Sequence, residues 1–110
     1  MAPGLPQADG GMAALKREAR KMDARCMKRL NDTADRQHFV NEMAEILAPY
    51  GSVRRSQLVV EKKDRDTEVL CFVEMETPQQ AEAAKNGLGL LLLGGCHLFL
   101  SAQLGANFAE

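Results

Sequence analysis

The stretch "EVLCFVEMETPQQAEAA", residues 68–84, sets the fold class by itself. Its first half, with Thr67 before it, is a run rich in β-branched and aromatic residues, apolar enough for a strand inside a sheet. Its second half is a helix with its start written out. Thr77 is a capping residue, Pro78 falls where a missing N–H costs nothing, and Gln80 has the spacing of a capping box. Asn86-Gly87 closes that helix.

Upstream, "DTADRQHFVNEMAEILAPYG" predicts a helix with Phe39, Met43, Ile46, Leu47 and Tyr50 on its buried stripe, capped by Asp32 or Thr33. Pro49 and Gly51 end it. "SVRRSQLVVE" predicts a strand, and the charged "KKDRD" a solvated turn. Downstream, "LGLLLLGG" predicts a loop or a short edge strand, and "CHLFLSAQL" a last strand. The order from residue 33 is helix, strand, strand, helix, strand. With one more strand at its front this is the α+β, ferredoxin-like βαββαβ plait.

Residues 12–30 decide whether that front strand exists. Leu15, Ala19, Met22, Cys26 and Leu30 recur at helical steps among strong helix formers, so the periodicity favours a helix, while a strand within Arg25–Leu30 stays open. The division expected is a flexible tail at 1–11, a basic helical arm at 12–30, the domain at 31–103 and a tail at 104–110.

A length of 110 residues with 45% hydrophobic and 26% charged residues fits one modest core. No apolar run spans a bilayer and no secretory signal stands at the start, so no membrane partner is expected. Three scattered cysteines argue for a reducing, cytoplasmic setting rather than a disulfide framework. His38 and His97 lack partners at ligand spacing, so neither a metal nor a cofactor is called for. The net charge of −1 hides an asymmetry: residues 12–30 hold +5 and residues 31–110 hold −5. A basic arm on an acidic body suits a polyanion, or its own body.

Within the plait class the chain resembles the RNA recognition motif family, over roughly residues 25–103. "ILAPYGSV" is similar to the family's passage from first helix to second strand, "EVLCFVEMETPQQAEAAKNG" to its third strand and second helix, and "LLGGCHLFLSA" to its loop and fourth strand. The family's third-strand octapeptide runs Arg/Lys, Gly, Phe/Tyr, Gly/Ala, Phe/Tyr, Val, any residue, Phe/Tyr. Laid on Glu68–Met75, it matches at Phe72 and Val73; Leu70 replaces an aromatic and Glu68 the cation that meets phosphate. The first-strand pattern (aliphatic, aromatic, aliphatic, any residue, Asn, Leu) falls poorly on Arg25–Leu30.

The resemblance implies single-stranded RNA bound weakly across the open sheet face, with bases stacked on aromatics. Strand alternation turns Leu70 and Phe72 to that face, with His97, Phe99 and Ser101. The expected RNA-binding residues are Phe72, Phe99, Leu70 and His97, assisted by Arg54, Arg55, Lys28 and Arg29. The bland alternatives are a solvated hairpin for the basic turn, a docked surface helix for the arm, and Phe72 and Phe99 packed beneath an added element. The rival function is a protein-interaction or homodimerisation module using the apolar sheet face, with Val59, or the leucines of 88–93. An enzyme is rejected, because no nucleophile neighbours a general base and "RLNDT" forms no anion cradle.

Overall fold

The computed structural model describes residues 9–105 together with Phe108. Two helices, α1 (Asp9–Ala19) and α2 (Ala24–Asn31), precede α3 (Arg36–Leu47). Then come β1 (Val53–Lys63), β2 (Asp66–Met75), α4 (Pro78–Leu88), β3 (Leu91–Gly94) and β4 (His97–Leu104). The expected α+β plait is present: one antiparallel sheet in the order β1-β2-β4-β3, with α2, α3 and α4 over one face. That face holds the main core, where Val69, Cys71 and Val73 of β2 and Leu98, Leu100 and Ala102 of β4 meet Phe39, Met43, Leu47 and Ala81.

The connectivity departs from the expected one in a single respect. Among the described residues no strand precedes α3. The stretch Arg25–Leu30, the open alternative for a first strand, lies in α2, where Asp23 caps the helix by accepting from the Arg25 N–H at 2.8 Å. In a βαββαβ plait the first strand lies beside the third, with the fourth outside it. Here β4 fills the place of the first strand, antiparallel to β2, and β3 fills the place of the fourth. From α3 onward the order is αββαββ, the same plait with its first strand supplied from the C-terminal end. The segment "LLLG" is therefore the edge strand, and "HLFLSAQL" is an inner strand.

Several local expectations shift for identifiable reasons. Asp35, not Asp32 or Thr33, caps α3 by accepting from the His38 N–H at 2.7 Å. Thr33 instead turns its hydroxyl to the Leu30 carbonyl, at the end of α2. Thr77 does cap α4 through the Gln80 N–H at 3.1 Å, but the Gln80 side chain packs against Gly51 rather than closing the box. The helix runs through Gly87, which Tyr50 approaches closely, and stops at Gly89 with φ of 80°. Phe108, assigned to the C-terminal tail, is buried and meets Phe39 edge to face at 6.0 Å. Most of the expected N-terminal tail, residues 1–8, lies outside the described residues.

The arm is a helix pair broken at residues 20–23, and its halves serve opposite faces of the sheet. Leu30 and Met22 sink into the main core with Cys26 and Met27 beside them. Leu15 and Ala19 of α1 pack on the other face, over Leu70, Phe72 and Phe99. At the crossing, the Asp23 N–H donates to the Leu88 carbonyl at 2.8 Å. A Cβ on Gly89 would stand 2.9 Å from the Lys21 carbonyl oxygen.

Gly89→Ala should therefore lower stability by more than the about 1–2 kcal/mol of a left-handed backbone alone. Gly95→Ala, at φ of 53° with open space around it, should incur only that backbone cost. Chemical denaturation of the two variants gives the comparison, and equal losses would remove the close approach as a factor.

Candidate nucleic-acid interface

The face away from the three-helix layer is built from alternate residues of each strand. Register aligns Arg55 with Glu74, Gln57 with Phe72, Val59 with Leu70 and Glu61 with Glu68. Across β2, Phe72 stands opposite Phe99, Leu70 opposite Ser101 and Glu74 opposite His97. The alternation expected from sequence is thus correct for each of these strands. The Phe72 and Phe99 rings are tilted neighbours with centroids 5.0 Å apart, a geometry aromatic pairs favour.

This face divides into a covered end and an open one. Over the covered end lies α1, and Phe99 and Leu70 beneath it are 0% and 2% exposed. The attachment is partly apolar and partly ionic. Lys16 Nζ reaches Glu61 at 2.9 Å and Glu68 at 3.4 Å, and Arg20 reaches Glu68 at 3.3 Å. Glu68, only 4% exposed, also accepts from the Ser101 hydroxyl at 2.6 Å. Burial pushes its carboxyl up, but the Ser101 hydroxyl, Lys16 and Arg20 together outweigh it and hold the group below the ordinary range. Its hydrogen bond to Glu61 is the main reason that Lys16 is raised, against a smaller effect of burial.

At the open end is a groove of about 900 Å³ between Arg55 and Gln57 on one side and Leu93 to His97 on the other, floored by Phe72 and Glu74. Arg55 donates to Glu74 Oε1 at 3.0 Å, Arg54 stands 3.9 Å from Glu74 Oε2, and His97 Nε2 stands 4.0 Å from Oε1. The side chains of Arg54 and Arg55 are 64% and 76% exposed. Phe72 is 8% exposed, so only a margin of the ring borders the groove.

Of the eight expected RNA-binding residues, Phe72, His97 and Arg55 line this groove, and Arg54 stands next to it through Glu74. Phe99 and Leu70 face the same way but lie under α1. Lys28 and Arg29 do not join them. They belong to α2 in the helical layer, where Arg29 bonds Glu42 and Glu45 of α3 and Lys28 pairs with Asp32. The leucines of 88–93 are largely spent inside: Leu88 and Leu90 are buried, Leu92 joins the main core, and Leu91 and Leu93 pack with Phe72 and Phe99. Val59, 37% exposed, remains as the large hydrophobic side chain at the surface among the described residues.

The first-strand pattern that fits poorly on Arg25–Leu30 fits β4 much better. Leu98-Phe99-Leu100-Ser101 satisfies its first four positions, and Ala102 stands where Asn is usual. The signal was legible in the sequence but lay at the wrong end of the chain for a plait read in linear order. Among the described residues no cluster of His, Cys, Asp or Glu could hold a metal ion, and no helix is long and apolar enough to cross a membrane.

A family model, that of the RNA recognition motif, matches residues 40–98. The matched span runs from α3 to the start of β4, where the connectivity leaves the linear order of the plait. No curated protein and no solved structure matches the chain.

The ion pairs beneath α1 give a definite pH dependence. Glu68 has a lowered folded pKa, so its contribution is complete above the ordinary 4.5 and is lost as pH falls through the folded value below it. The raised Lys16 contributes fully below 10.5 and loses its part as pH rises through a folded value above that. The stability difference between wild type and Glu68→Gln, from denaturant titrations, should be about 1–3 kcal/mol near neutrality. It should hold level between those limits and shrink in acid. A difference that grows in acid would contradict the assignment.

Proposed function

Since the chain belongs to the RNA recognition motif family, an RNA-binding family, we propose that it binds single-stranded RNA weakly along the open end of its sheet face. The observation that carries this reading is the groove beside Phe72, lined by the exposed Arg55, with Arg54 beside Glu74 at its edge, and by no described side chain of α1. A base enters against the margin of Phe72 and the His97 ring, and Arg54 and Arg55 meet the flanking phosphates. Stacking on an aromatic contributes about 1–3 kcal/mol per base, and this groove offers little more than one such surface. Glu74 already neutralises part of the arginine charge, which keeps the phosphate contribution modest. Weak, salt-sensitive association is the consequence.

A protein-interaction or homodimer face has less to rest on. The leucines that would form it are mostly packed, and the apolar part of the sheet face lies under α1.

Titration of the labelled protein with short mixed-sequence single-stranded RNA should shift the amides of Gln57, Phe72, Glu74, Leu93 and His97 first. Replacing Arg54 and Arg55 with Ala should flatten the salt dependence by about 0.7 in log–log slope for each phosphate that is no longer neutralised. Because both arginines are exposed, the fold should survive the change. Shifts confined to other surfaces, or none at all, would refute the reading.

A further inference from the structure

We propose that α1 is a displaceable cover over a second base-stacking position at Phe99, and that RNA itself displaces it. The inference rests on RNA binding at the neighbouring groove and extends that site beneath the helix.

Three observations converge. The first is what lies under α1. Phe99 is 0% exposed yet stands 5.0 Å from Phe72 by ring centroids, so the two rings form one continuous surface of which the groove reaches only the Phe72 margin. Leu70 extends that surface on the same side. The second is how α1 is held. Among its described side chains, Leu15 and Ala19 are the apolar ones over this face, and charge adds to the hold, from Lys16 and Arg20 to Glu61 and Glu68. RNA phosphates compete directly for these cations, because both take an anionic oxygen as readily from a phosphate as from a carboxylate. Arg17 lies on the same helix, so a released α1 brings Lys16 and Arg17, with Arg20 at its end, toward the strand.

The third is the joint. Residues 20–23 leave α1 at the boundary between two separately anchored helices. Asp23 is held to Leu88, and Met22 and Leu30 are held in the main core, so α2 keeps its place when α1 moves. The motion opens no part of the main core. It bares Phe99 and Leu70 for a second base and rehydrates Glu68.

The test uses the full chain and a short single-stranded RNA, with two variants that loosen α1 by different means. Glu68→Gln removes both pairs made to Glu68 and leaves the Lys16–Glu61 pair; Leu15→Gln removes the larger described apolar side chain, leaving Ala19, and keeps every charge in place. Amide exchange in α1 should speed up in both variants, and RNA affinity by fluorescence anisotropy should rise at least threefold in both. Saturating RNA should likewise speed exchange in α1 of the wild type. Faster α1 exchange with unchanged or weaker RNA affinity in Leu15→Gln would overturn the cover while leaving the groove reading intact. A gain in Glu68→Gln alone would be a charge effect and would also overturn it. RNA binding by none of the three proteins would overturn both readings together.

Discussion

The pairing of β2 with β4 is the constraint on which the rest of the molecule depends. It sets two apolar strands side by side at the centre of the sheet, with one face apolar throughout and the other apolar at its middle, between Glu68 and Glu74. Val69, Cys71 and Val73 with Leu98, Leu100 and Ala102 face one way, and Leu70 and Phe72 with Phe99 face the other. Each such Leu or Phe contributes about 1.5–3 kcal/mol when fully buried, so covering the second face adds stability to a sheet of this composition. The two helices of a plait cover one face alone. The split N-terminal arm supplies the second cover, which explains why one basic, amphipathic stretch crosses from one side of the sheet to the other at residues 20–23.

Much of this was legible in the residues, and what was not has physical causes. Alternation along β2 and β4 assigned every side chain to its proper face, because a period of two leaves no freedom once the strand is identified. Alternation does not say which strands are neighbours, so β4 read as an outer strand when it is an inner one. The pattern at Leu98–Ser101 would have corrected that reading, but a motif sought only at the front of a plait is not seen at its end. The arm shows the complementary failure. Leu15 through Leu30 keeps one helical period, which hides the interruption at Asp23. The break is set by tertiary contact, with Leu88 accepting the Asp23 N–H and Gly89 admitting the Lys21 backbone. Among the candidate site residues, charge alone nominated Lys28 and Arg29, and charge does not report which face a helix presents. Arg54 and Arg55 were expected at the start of a strand, and the structure places both there, with Arg55 opposite Glu74.

The charge asymmetry of the sequence acquires a structural meaning from the same contacts. Seven basic groups concentrated in the arm and an excess of acids in the body read at first as an affinity for some external polyanion. In the folded chain part of that affinity is met internally. Lys16 and Arg20 bond Glu61 and Glu68, Arg29 bonds Glu42 and Glu45, and Lys28 bonds Asp32. These pairs differ in kind. Those of Arg29 and Lys28 are exposed, and pairs of that sort contribute little to stability. Glu68 is the exception, a carboxylate taken almost wholly out of water on the face that the RNA recognition motif family uses for its ligand.

A buried carboxylate there is costly unless its partners remain in place. Glu68 has a hydroxyl from Ser101 within its own sheet and two cations, Lys16 of α1 and Arg20 just beyond its end, from the arm outside the plait. The docked α1 is therefore what makes Glu68 tolerable at that position, and Glu68 in turn is what orients the basic side of α1 inward. Neither feature is explained by the needs of the sheet alone, since an apolar residue at position 68 would pack under the helix without any desolvation cost. The interaction is strongest where charges are least hydrated, and it weakens wherever another anion can reach Lys16 and Arg20. A cover held in this way closes over Phe99 in the absence of a polyanion and is most readily loosened in its presence.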